Sequence, residues 1–190
     1  MANKNVSPVA RTVKRIIIFV LVVIILLVGL TFAVNKIFPR DYSEYVTMYA
    51  NKYGVDEALV YAVIKTESNF DETAVSSENA KGLMQIQKNT FEWVMTKMGV
   101  EGYLHTYDQV LDPEVNIKYG TFLLSILLDE YGDEKTALCA YNAGRSIVND
   151  WLKTAISSDA KKLDSIPSSL IETYVNKVER TKSIYEKLIK

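Results

Sequence analysis

The stretch Asp112-Pro113-Glu114-Val115-Asn116-Ile117-Lys118-Tyr119-Gly120-Thr121-Phe122-Leu123-Leu124-Ser125-Ile126-Leu127-Leu128 decides the fold. It opens with an N-cap aspartate, a proline at the first helical position, where no N–H is needed, and an acid in the first turn. It closes with Phe122 to Leu128, apolar nearly all round, which marks a helix covered by neighbours on every side. Gly132 stops it. The spacing predicts a buried central helix, and a buried helix requires other elements to bury it.

Working outward, Asp133 restarts a helix through about Ala143, with Gly144 as its C-cap, and a short helix covers Ile147 to Ala155. Pro167 opens the last helix, whose apolar positions Ile171, Tyr174, Val175, Val178, Tyr185 and Leu188 keep 3-4 spacing. On the other side lies a helix around Asn89 to Met98. Before it, Asn69 to Lys81 is polar and without periodicity, and reads as an ordered loop. Asp56 caps a helix through about Ser68, and Asp41-Tyr42-Ser43-Glu44 has the N-cap and N3 acid that open another, ending near Gly54. No convincing alternating strand is present, so the class is all-α. Pro39 to Lys190 fits one domain.

Ahead of that domain, Ile16 to Val34 is 19 residues without a charge, close to the roughly 20 that span about 30 Å of hydrocarbon. It has no polar face at any period, so a core helix is excluded. Arg11, Lys14 and Arg15 precede it, which by the positive-inside bias places the N-terminus in the cytoplasm and Pro39 to Lys190 outside. The expected organisation is a basic cytoplasmic segment (1–15), a transmembrane anchor with a short flank (16–38) and an extracytoplasmic domain (39–190) of a single-pass membrane protein. A cleaved signal peptide is the competing reading; Thr31-Phe32-Ala33 is a poor cleavage site, and the run exceeds a signal h-region.

The chain of 190 residues has a net charge of −1, but every acidic residue lies at or after Asp41. With five basic residues before Pro39, the rest holds 17 basic against 23 acidic residues, a formal charge of −6. Such a domain lacks the basic footprint of a nucleic-acid binder. Cys139 is the only cysteine, so no intrachain disulfide and no cysteine metal set can form, and it reads as a small buried apolar group. His105 has no His or Cys partner for a metal and reads as a surface loop residue. No metal or cofactor is expected.

The residue that points to chemistry is Glu67. Val60, Val63, Ile64 and Glu67 share one helix face, so a carboxyl stands where the pattern asks for an apolar side chain. Burial there raises its pKa and leaves an acid able to donate near neutral pH. On position alone, a helix-end glutamate that snorkels or caps is the other reading.

Glu67-Ser68-Asn69-Phe70, Ala74-Val75-Ser76, Gly82-Leu83-Met84-Gln85-Ile86 and Ala140-Tyr141-Asn142-Ala143-Gly144 follow one another along the chain, and this ordered set resembles the soluble lytic transglycosylase family of peptidoglycan-cleaving enzymes. Glu67-Ser68-Asn69-Phe70, Ala74-Val75-Ser76, and Ala80 with Gly82-Leu83-Met84-Gln85-Ile86 are similar to its first two motifs in order and spacing. Asp112-Pro113-Glu114 with Asn116-Ile117 and Gly120 resembles its middle helix, Ala140-Tyr141-Asn142-Ala143-Gly144 its third motif, and Ile166-Pro167 with Tyr174-Val175 and Val178 its fourth. The likeness runs from about Tyr45 to Val178.

The resemblance implies a lysozyme-like, mainly helical domain that binds peptidoglycan glycan strands. It implies that Glu67 is the sole catalytic residue. Glu67 would protonate the bridging oxygen of the β-1,4 bond between N-acetylmuramic acid and N-acetylglucosamine, then take the proton of the sugar's 6-hydroxyl to leave a 1,6-anhydromuramic end. It places Ser76, Met84, Gln85, Tyr141, Asn142 and Tyr174 at the sugar subsites. Met84 and Tyr174 also fit as packing residues, and Asn142 as a helix-end cap. Two departures stand out: Gln87-Lys88 occupy the place of a common Met-Pro pair, and Leu170 that of an acid. Two rivals remain at this level. One is a hydrolytic muramidase in which Asp71, Glu72 or Glu78 holds a water; the other is a weakly catalytic wall-binding protein of an envelope machine.

Overall fold

The computed structural model describes residues 8–154 and 159–189, and divides into two compact units, Met1–Arg40 and Asp41–Lys190. In the first unit a single helix, α1 (Pro8–Ile37), extends the apolar run in both directions. Its 30 residues give a length of about 45 Å, more than the hydrocarbon of a bilayer needs. Its described apolar side chains are exposed nearly all round. Lys4 lies outside the described residues, as does Ala155 at the predicted end of the short helix.

The second unit is all-α. Its helices are α2 (Ser43–Tyr53), α3 (Glu57–Glu67), α4 (Lys88–Met98), α5 (Pro113–Tyr131), α6 (Glu134–Ala143), α7 (Arg145–Leu152) and α8 (Ser169–Ile189), with short 3₁₀ helices at Gly99–Leu104 and Tyr107–Leu111. Among the described residues, β pairing is confined to isolated bridges. The central helix is α5, packed by α2, α4 and α6, and it buries Ile117, Tyr119, Leu124 and Leu127 completely. α3 packs chiefly on α8, where Tyr61 stacks on Tyr185 with ring centres 5.1 Å apart.

Three aspartates start helices by the same local chemistry. Asp56 accepts from Ala58 N at 2.8 Å, Asp112 from Val115 N at 3.0 Å and Asp133 from Thr136 N at 2.9 Å, each satisfying an N–H the helix leaves unpaired. Two predicted starts shift. Asp41 does not cap α2; Tyr42 does so, in a left-handed conformation at φ 60°, with its hydroxyl on Glu72 Oε2 at 2.6 Å. A tertiary tie therefore sets this end. α8 begins at Ser169 rather than at Pro167, because Ser168 supplies the first acceptors: its carbonyl takes Glu172 N at 2.9 Å and its hydroxyl takes Ile171 N at 3.4 Å.

Cys139 is buried in α6, and burial pushes its thiol up to about 12. His105 is half-buried rather than a surface residue, because its Nδ1 meets the Tyr119 hydroxyl at 3.2 Å.

Candidate active site

Glu67 is the last residue of α3. Just beyond it, Asn69 and Phe70 take positive φ values of 54° and 67° and turn the chain sharply away. The following loop is tied back at several points. Ser68 Oγ donates to Leu83 O at 2.8 Å, Ser76 N donates to Ala80 O at 3.0 Å while Ala80 N donates to Ser76 Oγ at 3.1 Å, and Lys81 bridges to Val75 and Ile86. This loop curls over the end of α3 and forms one wall of a cavity.

The loop is held from below by Asn116 on α5. Its Oδ1 accepts from Met84 N at 2.7 Å, and its Nδ2 donates to Lys81 O at 2.9 Å and Val110 O at 2.8 Å. Asn116 is fully buried, and its bonds to Met84 N and Val110 O are shielded from water. Gly82 is required beside it: φ is +76°, and a Cβ there would stand 2.9 Å from both Asn116 Cγ and Val110 O. Asn116 is the positioning residue missing from the sequence-based candidates. Its signal is an amide side chain on a helix that is otherwise buried and apolar.

The cavity has a volume of 290 Å³, and Glu67, Ser76, Glu78, Gln85, Tyr141 and Asn142 lie on its wall. The structure thus brings together five of the seven sequence-predicted residues. Gln85, at φ 48°, donates from Nε2 to Ala74 O at 3.1 Å and Gly82 O at 2.9 Å, which fixes its amide. Ser76 and Asn142 are exposed to the opening, and Tyr141 donates to Met84 O at 2.7 Å.

Met84 and Tyr174 are not among the residues that line this cavity. Met84 is fully buried, seated over Gly120, where a Cβ would come within 2.9 Å of the methionine Cβ. Its part in the site is played by its backbone, which joins Asn116 to Tyr141. Tyr174 reaches from α8 to donate its hydroxyl to Glu67 Oε1 at 2.6 Å.

Burial pushes the Glu67 carboxyl up to about 7, against the opposing pull of the Tyr174 hydrogen bond and the nearby Lys177 ammonium. Lys177 itself donates to Thr66 O at 3.3 Å, one residue from the acid. Burial and the Glu67 charge hold the Tyr141 and Tyr174 phenols well above the usual range, so both stay neutral donors. With Oε1 engaged by Tyr174, Oε2 is the oxygen left to carry a proton toward the cavity. The arrangement is a neutral acid beside hydroxyl and amide groups, suited to donating a proton to an oxygen of a polar, uncharged ligand.

Of the three loop acids, only Glu78 stands on the cavity wall. Asp71 accepts from Thr73 N at 2.9 Å and from its hydroxyl at 2.7 Å, and Glu72 accepts from Tyr42.

The chain is similar to several known proteins. Membrane-bound lytic murein transglycosylase C of Photorhabdus laumondii subsp. laumondii is 34% identical over 151 residues, covering 73% of this chain and 41% of that protein. Soluble lytic murein transglycosylase of Escherichia coli K12 is 32% identical over 144 residues, covering 74% of this chain and 22% of that protein. The structure of an inactive mutant of the lytic transglycosylase Slt from Pseudomonas aeruginosa superposes with a TM-score of 0.72 at 27% identity, over 82% of this chain and 25% of that one. The chain therefore spans less than half the length of these relatives. The Transglycosylase SLT domain model matches residues 44–163, from the start of α2 to just past α7 and including Glu67 and its cavity, and the chain belongs to that family.

Proposed function

We propose that the chain is a membrane-anchored peptidoglycan lytic transglycosylase that cleaves the β-1,4 bond between N-acetylmuramic acid and N-acetylglucosamine. The observation that carries the reading is Glu67: a carboxyl raised to about 7 by burial, hydrogen-bonded by Tyr174, and opening into a cavity lined by neutral polar groups and Glu78. In the proposed reaction its Oε2 proton passes to the bridging oxygen and the C1–O bond breaks. The resulting carboxylate then takes the proton of the muramic 6-hydroxyl as that oxygen closes on C1. The acid is regenerated and no water enters.

Ser76, Gln85 and Asn142 are proposed to hydrogen-bond the sugar's hydroxyl and acetamide groups, which need neutral donors and acceptors. Tyr174 orients the acid, and the Met84 backbone holds Tyr141. In this reading α1 is an uncleaved single-pass anchor, with residues 1–15 cytoplasmic, 16–38 spanning and flanking the membrane, and 39–190 facing the cell wall. The length and apolarity of α1, and its preceding Arg11, Lys14 and Arg15, support this.

The test is Glu67→Gln in the full chain. It is expected to fold and to lose glycan cleavage by about 10²- to 10⁴-fold, the usual contribution of a positioned acid. Turnover near that of the wild type would end the assignment. One observation favours a second reading, hydrolysis: Glu78 is a carboxylate on the same cavity wall as Glu67. If Glu78 holds a water, Glu78→Gln abolishes cleavage; in the favoured reading it leaves cleavage largely intact.

A further inference from the structure

The turn Ser76-Ser77-Glu78-Asn79 carries both Ser76 and Glu78 onto the wall of the Glu67 cavity. Asn79 N closes it by donating to Ser76 O at 3.0 Å, and Ala80 N donates to Ser76 Oγ at 3.1 Å. Ser76 Oγ therefore serves the turn as an acceptor and keeps its own proton for a ligand. Asn79 stands at φ 59°, a left-handed conformation that is costly for a residue with a Cβ and persists where its surroundings enforce it.

Those bonds lie within the loop. Among the described residues, the hydrogen bond that ties residues 76–80 to another element comes from Tyr107, whose hydroxyl donates to Asn79 O at 2.6 Å. The same hydroxyl lies 3.3 Å from Ile86 O, but it has one proton, and the shorter contact takes it. Partial burial raises the Tyr107 phenol above its usual value, so it stays a neutral donor.

Tyr107 is fixed by parts outside the turn. It opens the 3₁₀ helix Tyr107–Leu111, where Thr106 and Gln109 form a capping box and Val110 O accepts from buried Asn116. Its ring centre lies 5.8 Å from that of fully buried Phe91 and 4.5 Å from Lys81 Nζ. Tyr107 is not among the residues that line the Glu67 cavity. The carboxyl itself is governed by burial, Tyr174 and Lys177, so the acid and the turn are held by different elements.

We propose that Tyr107 is a positioning residue for the subsite formed by Ser76: its hydroxyl fixes the carbonyl of Asn79 and thereby sets where the Ser76 hydroxyl stands on the cavity wall. The proposal rests on the glycan-cleaving activity proposed above. It separates binding from proton transfer, because Tyr107 acts on the turn and not on Glu67.

The test is Tyr107→Phe in the detergent-solubilised full chain, acting on soluble glycan strands. Phenylalanine keeps the ring between Phe91 and Lys81 and removes the hydroxyl alone. KM is expected to rise by about threefold to tenfold, the worth of one neutral hydrogen bond, with kcat within about twofold of wild type and the alkaline limb of the pH profile unmoved. In a Ser76→Ala background the same change should cost less than about twofold, because the group it places is gone. A merely structural role would cost the same in both backgrounds. Hydrogen exchange read by mass spectrometry, which needs no activity, should quicken across residues 74–82 and stay unchanged in α3. Wild-type KM in Tyr107→Phe, an equal loss in both backgrounds, a shifted alkaline limb or unchanged exchange across 74–82 would overturn the positioning role and leave the activity standing. Failure of the wild type to cleave any glycan would overturn the activity, and the proposal with it.

Discussion

In the proposed reaction Glu67 must be a proton donor first and a proton acceptor second, which demands a pKa near the working pH and not at the usual carboxylate value. Burial supplies the rise to about 7, and Tyr174 and Lys177 hold it there instead of higher. The rise has a thermodynamic sign. The unfolded chain releases this proton near 4.5 and the folded chain near 7, so the folded state binds more protons between these values and loses stability as pH climbs through them. Glu67→Gln removes that loss. The variant is expected to be more stable than wild type at pH 8 by roughly 1–3 kcal/mol, with the difference vanishing at pH 4, by thermal melts at both pH values. A variant less stable than wild type at pH 8 would show that the carboxyl is not held in an unfavourable charged form. The groups facing Glu67 are Tyr174 and Lys177 from α8 and Tyr141 from α6. Of these only Lys177 carries charge, so Lys177→Met should move the alkaline limb of the kcat/KM profile to higher pH, and Lys177→Glu further. Profiles that coincide with wild type would remove Lys177 from the account.

At the scale of elements, the site depends on α5 and α8 more than on the loop that visibly forms its wall. Asn116 of α5 holds Met84 N, Lys81 O and Val110 O, so Asn116→Ala strands Met84 N and Val110 O in a buried place and leaves Lys81 O with its bond from Ile86 N alone. The expected cost is about 3 kcal/mol in urea unfolding, with turnover lost even where the variant remains folded. A loss below about 0.5 kcal/mol would mean that the loop holds itself. α8 reaches across the domain: Tyr174 meets Glu67, while Lys182 bonds Glu134 Oε2 at 2.7 Å and stands 3.5 Å from Asp56 Oδ2, joining the starts of α6 and α3. What is legible in the sequence follows from this division. The aspartate caps at 56, 112 and 133 are legible because side chain and N–H lie within three residues. Glu67 is legible as a carboxyl on an apolar face. The start of α2 is not, because Tyr42 is fixed by Glu72, thirty residues away. The burial of Met84 is not legible either, because it depends on Gly120, which only packing brings beneath it. Asp71, Glu72 and Glu78 look alike in a polar stretch, and only the folded loop separates the one on the cavity from the two tied elsewhere.

At the scale of the whole molecule, the two units call for different solvents. α1 exposes an apolar surface nearly all round, whereas the unit from Asp41 to Lys190 buries its own core. Residues 39–190 are therefore expected to be soluble and helical by circular dichroism without detergent, and the full chain to sediment with membranes at its unprocessed mass. Aggregation of the fragment, cured only by restoring residues 1–38, would contradict this division. The central claim is that one carboxyl serves both proton transfers, with the substrate's own hydroxyl as nucleophile. A tethered hydroxyl has a large effective concentration over solvent, and among the described residues Glu78 is the one carboxylate besides Glu67 on the cavity wall that could activate water. Mass spectrometry of the muropeptides released by the full chain tests this most directly, because anhydro and reducing ends differ by one water. The account predicts products ending in 1,6-anhydromuramic acid, unchanged in Glu78→Gln; products with mainly reducing ends, lost in Glu78→Gln, would contradict it and identify a hydrolase on the same fold.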